Sequence, residues 1–198
     1  MTTAAADRAA NARKIFKLGA VLFTVTAVTG LILGVVNEIT REPIMRTQAR
    51  LRAEALANAL PEADEFQSVP AAGADPMVVG VDMGKKGGSP VGYCVSVAPS
   101  GYGGPIGIVV GITGSGGLRA ISVLSHTETP GLGAKAALPA FYGQFSNKEA
   151  DKLSVIKGGG AGPDQIEAIS GATITSEAVT LGVNAALAYW RDNLKEGD

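Results

Sequence analysis

Between Leu18 and Val36 the chain reads LGAVLFTVTAVTGLILGVV, nineteen residues without a single charge. Wound as a helix at about 1.5 Å per residue, that run is roughly 28 Å long, close to the ~30 Å hydrocarbon core of a bilayer. A helix packed on the core of a soluble domain of this size would normally keep a polar stripe toward water, and none interrupts this one. A cleaved leader would be followed by a small-residue cleavage pattern, which VVNEITREP does not offer. The run therefore predicts a retained transmembrane helix over residues 18–36, behind a short tail over 1–17. Arg8, Arg13, Lys14 and Lys17 precede it while Arg41, Arg46, Arg50 and Arg52 follow it, so the balance of flanking positive charge does not orient the span.

Outside the span the composition restricts the chemistry. A net charge of −1 over 198 residues implies neither a nucleic-acid surface nor an acidic tail. The single cysteine, Cys94, leaves no internal disulfide, and the single histidine, His126, leaves little for a transition metal. No CxxC, CxxCH or ferredoxin-type spacing exists, so an iron–sulfur cluster or c-type haem held by this chain alone is not expected, and no metal ligands or catalytic residues are assigned. A redox cofactor here would be organic.

After the span, Met45, Ala49, Ala53, Leu56 and Leu60 recur at steps of three or four among charged neighbours, which predicts an amphipathic helical stretch over 37–66, stopped near Pro61. Residues 67–76 have the composition of a loop. Three β-rich runs follow: VGYCVSVA from Val91, IGIVVGIT from Ile106 and LRAISVLS from Leu118. Ile106, Ile108, Val110 and Ile112 would share one strand face. The connections PSGYGGP and GSGG are too short for crossover helices, so they read as hairpin turns of an antiparallel meander. No GK[ST] or strand-to-helix GxGxxG makes them nucleotide loops. An irregular stretch, HTETPGLGAKAALPAFYGQFSN, leads to a short strand from Ser154 and then the flexible GGGAGPDQ. A last helix is expected from about Ser176 to Lys195, with Val179, Val183, Ala186, Leu187 and Trp190 on its buried face. The soluble part is α+β, covering roughly 150 residues with its own core.

One cluster stands out: SGATITS, residues 170–176, just where that helix begins. Thr175 or Ser176 can serve simply as the N-cap, with Glu177 favourable in the first turn. Alternatively, the unpaired N–H groups and positive dipole end attract a phosphate, with Gly171 and Ala172 leaving room for something large to approach the backbone.

SGATITS resembles the flavin attachment motif of the FMN-binding domain family, an acidic residue and two spacers before Ser/Thr-Gly-Ala-Thr-x-Thr, with Glu167 here at the acidic position that is usually Asp. The loop HTETPGLG, residues 126–133, is similar to the family's second motif, in the same order along the chain. The resemblance covers essentially the whole chain and implies one FMN-binding domain over 67–198, with an antiparallel sheet and flanking helices behind the transmembrane helix. It implies FMN esterified through its phosphate to Thr175, with Ser170, Gly171, Ala172 and Thr173 around the attachment point and Glu128, Thr129 and Leu132 as cofactor contacts from the loop. No His, Cys or Lys neighbours Thr175 in sequence to activate its hydroxyl, so a separate Mg-dependent flavin transferase acting on FAD is implied as a maturation partner. Within the family the chain is most similar to the G subunits of Rnf ion-translocating electron transport complexes, the C subunits of sodium-translocating NADH:quinone reductases and a stand-alone tethered flavin module remaining alternatives. The further implications are electron transfer between other Rnf subunits that link ferredoxin and NAD to ion pumping, no turnover by this chain alone, and an inner-membrane location with the flavin domain on the extracytoplasmic side.

Overall fold

The computed structural model describes residues 3–71 and 75–195 of the chain. The chain divides between Ala49 and Arg50 into two compact units. A single helix, α1 (Thr3–Ala59), supplies the described residues of the first and opens the second.

In the first unit α1 runs through the tail and the predicted span without interruption. Its most apolar window has a mean hydropathy of 2.2 and no part of it is buried. That window is long and apolar enough to cross a bilayer. The hydroxyls inside the span are satisfied by their own helix: Thr24 Oγ1 donates to the Ala20 carbonyl at 2.8 Å and Thr29 Oγ1 to that of Val25 at 2.8 Å. Such back-bonding lets threonine sit where no water is available.

α1 stops at Ala59, directly before Leu60 and Pro61. The residues it buries are Ala55, Leu56 and Ala59, followed by Leu60, whereas Met45, Ala49 and Ala53 are exposed. The five-residue apolar row expected from the sequence is thus buried only at its end, because only the last turns of α1 lie against a sheet.

That sheet has five antiparallel strands in sequence order: β1 (Glu65–Val69), β2 (Val78–Lys86), β3 (Ser89–Val97), β4 (Gly107–Thr113) and β5 (Leu118–Ser125). The meander expected for the last three is present, with Val95 opposite Val110 and Val110 opposite Ile121. β1 occupies the segment read as helix end and loop, and β2 follows it in residues for which no element was expected. β1 is a polar, mostly exposed edge, and β2 interrupts its valines with Gly80, Asp82 and Gly84, so neither shows a clean alternation.

Both faces of the sheet are covered. On one, Cys94 and Val109 pack with Ala55, Leu56, Ala59 and Leu60 of α1. Asp82, buried on β2, accepts a hydrogen bond from Arg52 at 2.8 Å and so fastens the same end of α1 electrostatically. On the other face, Val81, Val95, Val97, Ile108, Val110 and Ile112 pack beneath α3 (Thr173–Asn193). α3 contributes Val179, Val183, Ala186, Leu187 and Trp190, the five residues its periodicity singled out. Burial on both faces explains why β4 is a continuous apolar run rather than a simple alternation.

Between β5 and α3 the chain makes a 3-10 turn (Gly133–Ala137), a short helix α2 (Pro139–Tyr142), a second 3-10 turn (Gly143–Phe145), and a two-stranded parallel pair, β6 (Ser154–Ile156) and β7 (Gln165–Glu167). Phe141 and Phe145 meet edge to face, with ring centroids 5.7 Å apart, and anchor this stretch in the core. The β6–β7 pair delivers the chain to the start of α3.

Candidate functional site

The hydroxyl cluster does not cap its helix. α3 begins at Thr173, three residues earlier than expected, with Ala172 at the N-cap and no side-chain capping bond. Thr175 is therefore the third helical residue and Ser176 the fourth. Ser176 Oγ accepts the Ile169 N–H at 2.9 Å and donates to the Ala172 carbonyl at 3.0 Å, stitching the incoming strand to the first turn. Thr180 Oγ1 donates to the Ser176 carbonyl at 2.9 Å.

Thr175 does something else. Its side chain, 1% exposed, donates from Oγ1 to Oε2 of Glu128 at 2.5 Å. Glu128 is itself only 5% exposed. Its second oxygen, Oε1, accepts the Gly103 N–H at 2.9 Å. The Thr127 hydroxyl donates to the Gly103 carbonyl at 2.9 Å, so the 126–133 loop and the β3–β4 turn hold each other in place. Each oxygen of the buried carboxylate thus has a donor, as burial of such a group demands.

Small residues make this packing possible. A Cβ on Gly133 would lie 2.3 Å from Glu128 Oε2 and 2.7 Å from Thr175 Oγ1, so only glycine fits beside the pair. Gly171 has φ +77°, a left-handed conformation that lets the chain turn into α3.

Thr175 and Glu128 lie at the wall of an open cavity of about 600 Å³. Thr129, Leu132, Gly133, Gly171, Ala172 and Thr173 also line it, together with Tyr102 and Ile174. The structure therefore collects Thr175, Gly171, Ala172, Thr173, Glu128, Thr129 and Leu132 around one space, while Ser170 is exposed and outside its lining. Tyr102, 72% exposed, and Ile174, 55% exposed, were not anticipated as site residues. Their signal in the sequence was a bulky aromatic in a glycine turn and an apolar residue in a hydroxyl cluster. The PSGYGGP turn is more than a hairpin connection, since Gly103 donates to Glu128 and Tyr102 lines the cavity.

Residues 101–188, which hold every part of this site, match the family model of the FMN-binding domain. Over 90% of its length the chain is 36% identical to the G subunit of the Na⁺-translocating ferredoxin:NAD⁺ oxidoreductase complex of Acetobacterium woodii, covering 92% of that protein. This chain belongs to the family of Rnf G subunits. Two more G subunits agree: that of the proton-translocating ferredoxin:NAD⁺ oxidoreductase complex of Clostridium ljungdahlii, 35% identical with 81% and 83% of the two chains covered, and that of the ion-translocating oxidoreductase complex of Methanosarcina acetivorans, 33% identical with 90% and 96% covered. The crystal structure of the C subunit of the Na⁺-translocating NADH-quinone reductase from Parabacteroides distasonis superposes with a TM-score of 0.60 at 21% identity, covering 78% of this chain and 97% of that one. That likeness shows a shared fold.

The residues of this G-family chain suit an FMN group. The cavity has the volume of a small-molecule site, its wall alternates apolar side chains with hydroxyls, and a threonine hydroxyl lies at its edge in the opening turn of a helix.

Proposed function

We propose that this chain is the membrane-anchored flavoprotein subunit of an Rnf-type ion-translocating ferredoxin:NAD oxidoreductase, carrying electrons through FMN joined by its phosphate to Thr175. The observation that carries the proposal is the placement of the Thr175 hydroxyl at the wall of a cavity shaped by both family motifs at once.

When bound, FMN supplies the redox chemistry. The protein's residues hold and surround it. Thr175 is the tether, which removes the dissociation equilibrium of an open site. The first turn of α3, whose leading N–H groups have no helical acceptor, stabilises the one remaining charge of a phosphodiester by roughly 0.3–1 kcal/mol. Gly171 and Ala172 keep the backbone accessible on that side. Leu132, Ile174 and Tyr102 offer apolar surface to a planar ring, and Thr129 and Thr173 offer hydroxyls at the same cavity.

On this reading α1 keeps the carrier in the membrane beside the other Rnf subunits, with the flavin domain on the extracytoplasmic side. A flavin transferase loads FMN from FAD during maturation. The chain has no turnover by itself and serves the coupling of electron flow to ion transport.

Membranes holding the assembled complex test the proposal. Reduced ferredoxin should drive NAD reduction with the native chain, and with Thr175→Ala the rate should drop to that of membranes lacking the chain altogether. An unchanged rate in the variant, with the complex assembled, would refute the carrier role.

A further inference from the structure

The folded chain hides the hydroxyl that is to be modified. Thr175 is 1% exposed, and its Oγ1 donates to Glu128 Oε2 at 2.5 Å. An enzyme acting from outside cannot bring a phosphorus atom up to an oxygen enclosed in this way. The hydrogen-bonded pair is therefore a closed state of the acceptor.

The part that closes it is a loop seated by one side chain. From Thr127 to Leu132, Glu128 alone is buried and the other residues are exposed. Its carboxylate occupies a slot walled by glycines: a Cβ on Gly101 would lie 2.4 Å from Oε1, and one on Gly133 would lie 2.3 Å from Oε2 and 2.7 Å from Thr175 Oγ1. The Gly103 N–H holds Oε1 at 2.9 Å. Further along the loop Leu132 reaches over the attachment motif, where a Cβ on Gly171 would meet its Cδ2 at 3.1 Å. A segment with so few buried apolar contacts opens locally at low cost, and withdrawal of Glu128 with its loop uncovers Thr175.

We infer that Glu128 is a latch, which keeps Thr175 closed to the flavin transferase in the folded, unloaded chain, so that loading proceeds through the molecules in which the 126–133 loop has opened. The inference rests on the attachment reading above. Loading forms the Thr175 Oγ1–P bond and breaks the P–O bond to the AMP half of FAD. AMP leaves with the electron pair of that bond, and the hydroxyl proton is given up to solvent. The ester oxygen then has no proton to donate, and the phosphodiester sets a negative charge beside the carboxylate. The contact thus belongs to the unloaded chain, and the latch does not close again once the flavin is attached.

The test measures the initial rate of covalent loading of the full-length chain in detergent, made without a flavin transferase and then mixed with FAD, Mg²⁺ and limiting transferase. Flavin fluorescence of the denatured band reads the product. Where opening and closing are fast relative to modification, the rate follows the open population. Glu128→Ala removes the latch, and loading should speed up about tenfold or more, the factor by which losing one hydrogen bond to a charged group shifts an opening equilibrium. Gly133→Ala keeps Thr175 and Glu128 but wedges them apart, and should also load faster. Gly111→Ala loosens the domain elsewhere, where β4 meets Ala59, and should load at about the native rate. Loading of Glu128→Ala or Gly133→Ala at the native rate or slower would overturn the inference. Equal acceleration in Gly111→Ala would overturn it too, by tracing the effect to general loosening of the fold. A native chain and variants that all stay dark, while the transferase loads a control substrate, would remove the attachment reading and the latch with it.

Discussion

Thr175 and Glu128 are 47 residues apart in sequence and 2.5 Å apart in space. Each belongs to one of the two motifs that the sequence displays, so both were legible as candidate site residues. Their contact was not, because it depends on how the loop after β5 and the start of α3 meet in the folded domain. The capping reading failed for a local reason: Ser176 bonds backward to Ile169 and Ala172, which lets α3 begin at Thr173 without a polar cap. Cys94 is a small side chain buried on β3. Burial, with the Asp82 charge adding to it, pushes its thiol up from 9.0 to about 12. The folded chain therefore holds this proton in a range where the unfolded chain releases it. The resulting stability is complete below about pH 9 and is lost as pH rises toward 12. Comparing chemical denaturation of the native chain and Cys94→Ala at pH 8 and pH 10 should show the native chain losing about 1 kcal/mol more than the variant. Equal losses would mean that the thiol ionises freely in the folded state.

Among the elements, the β3–β5 meander and α3 were the most legible, and β1 and β2 the least. β4 announces itself through Ile108, Val110 and Ile112, and α3 through its five periodic apolar residues, since both are buried against broad surfaces. β1 is an exposed edge of Glu65, Phe66, Gln67, Ser68 and Val69, and its identity comes from pairing with β2 rather than from its own composition. The end of α1 was legible from Pro61 and its buried face in part: Leu56 and Leu60 belong to the expected row, whereas Ala55 and Ala59 do not, and Ala59 meets the sheet partly through its backbone. At Gly111 of β4 an added Cβ would sit 2.0 Å from the Ala59 carbonyl oxygen. Gly111→Ala must therefore push α1's last turn away from the sheet. We expect a destabilisation of about 1–3 kcal/mol, read as a lower denaturation midpoint of the second unit at unchanged slope. A midpoint equal to the native one would show that the helix end is not seated on the strand.

At the scale of the molecule, one continuous helix serves two purposes. Its first part is apolar and exposed over a window long enough to cross a bilayer, and its last ten residues help build the core of the domain that carries the site. The nineteen-residue run made the first purpose plain, while the continuity with the domain was hidden by the charged residues between them. The proposed carrier role depends on one covalent bond. Its most direct test is flavin fluorescence of washed membranes, denatured and separated by size, from cells expressing a flavin transferase with either the native chain or Thr175→Ala. Attachment at Thr175 predicts a fluorescent band at the size of the native chain and a dark band of equal abundance for the variant. Fluorescence that persists in the variant would place the flavin elsewhere, and a dark native band beside a loaded control substrate would contradict covalent attachment to this chain.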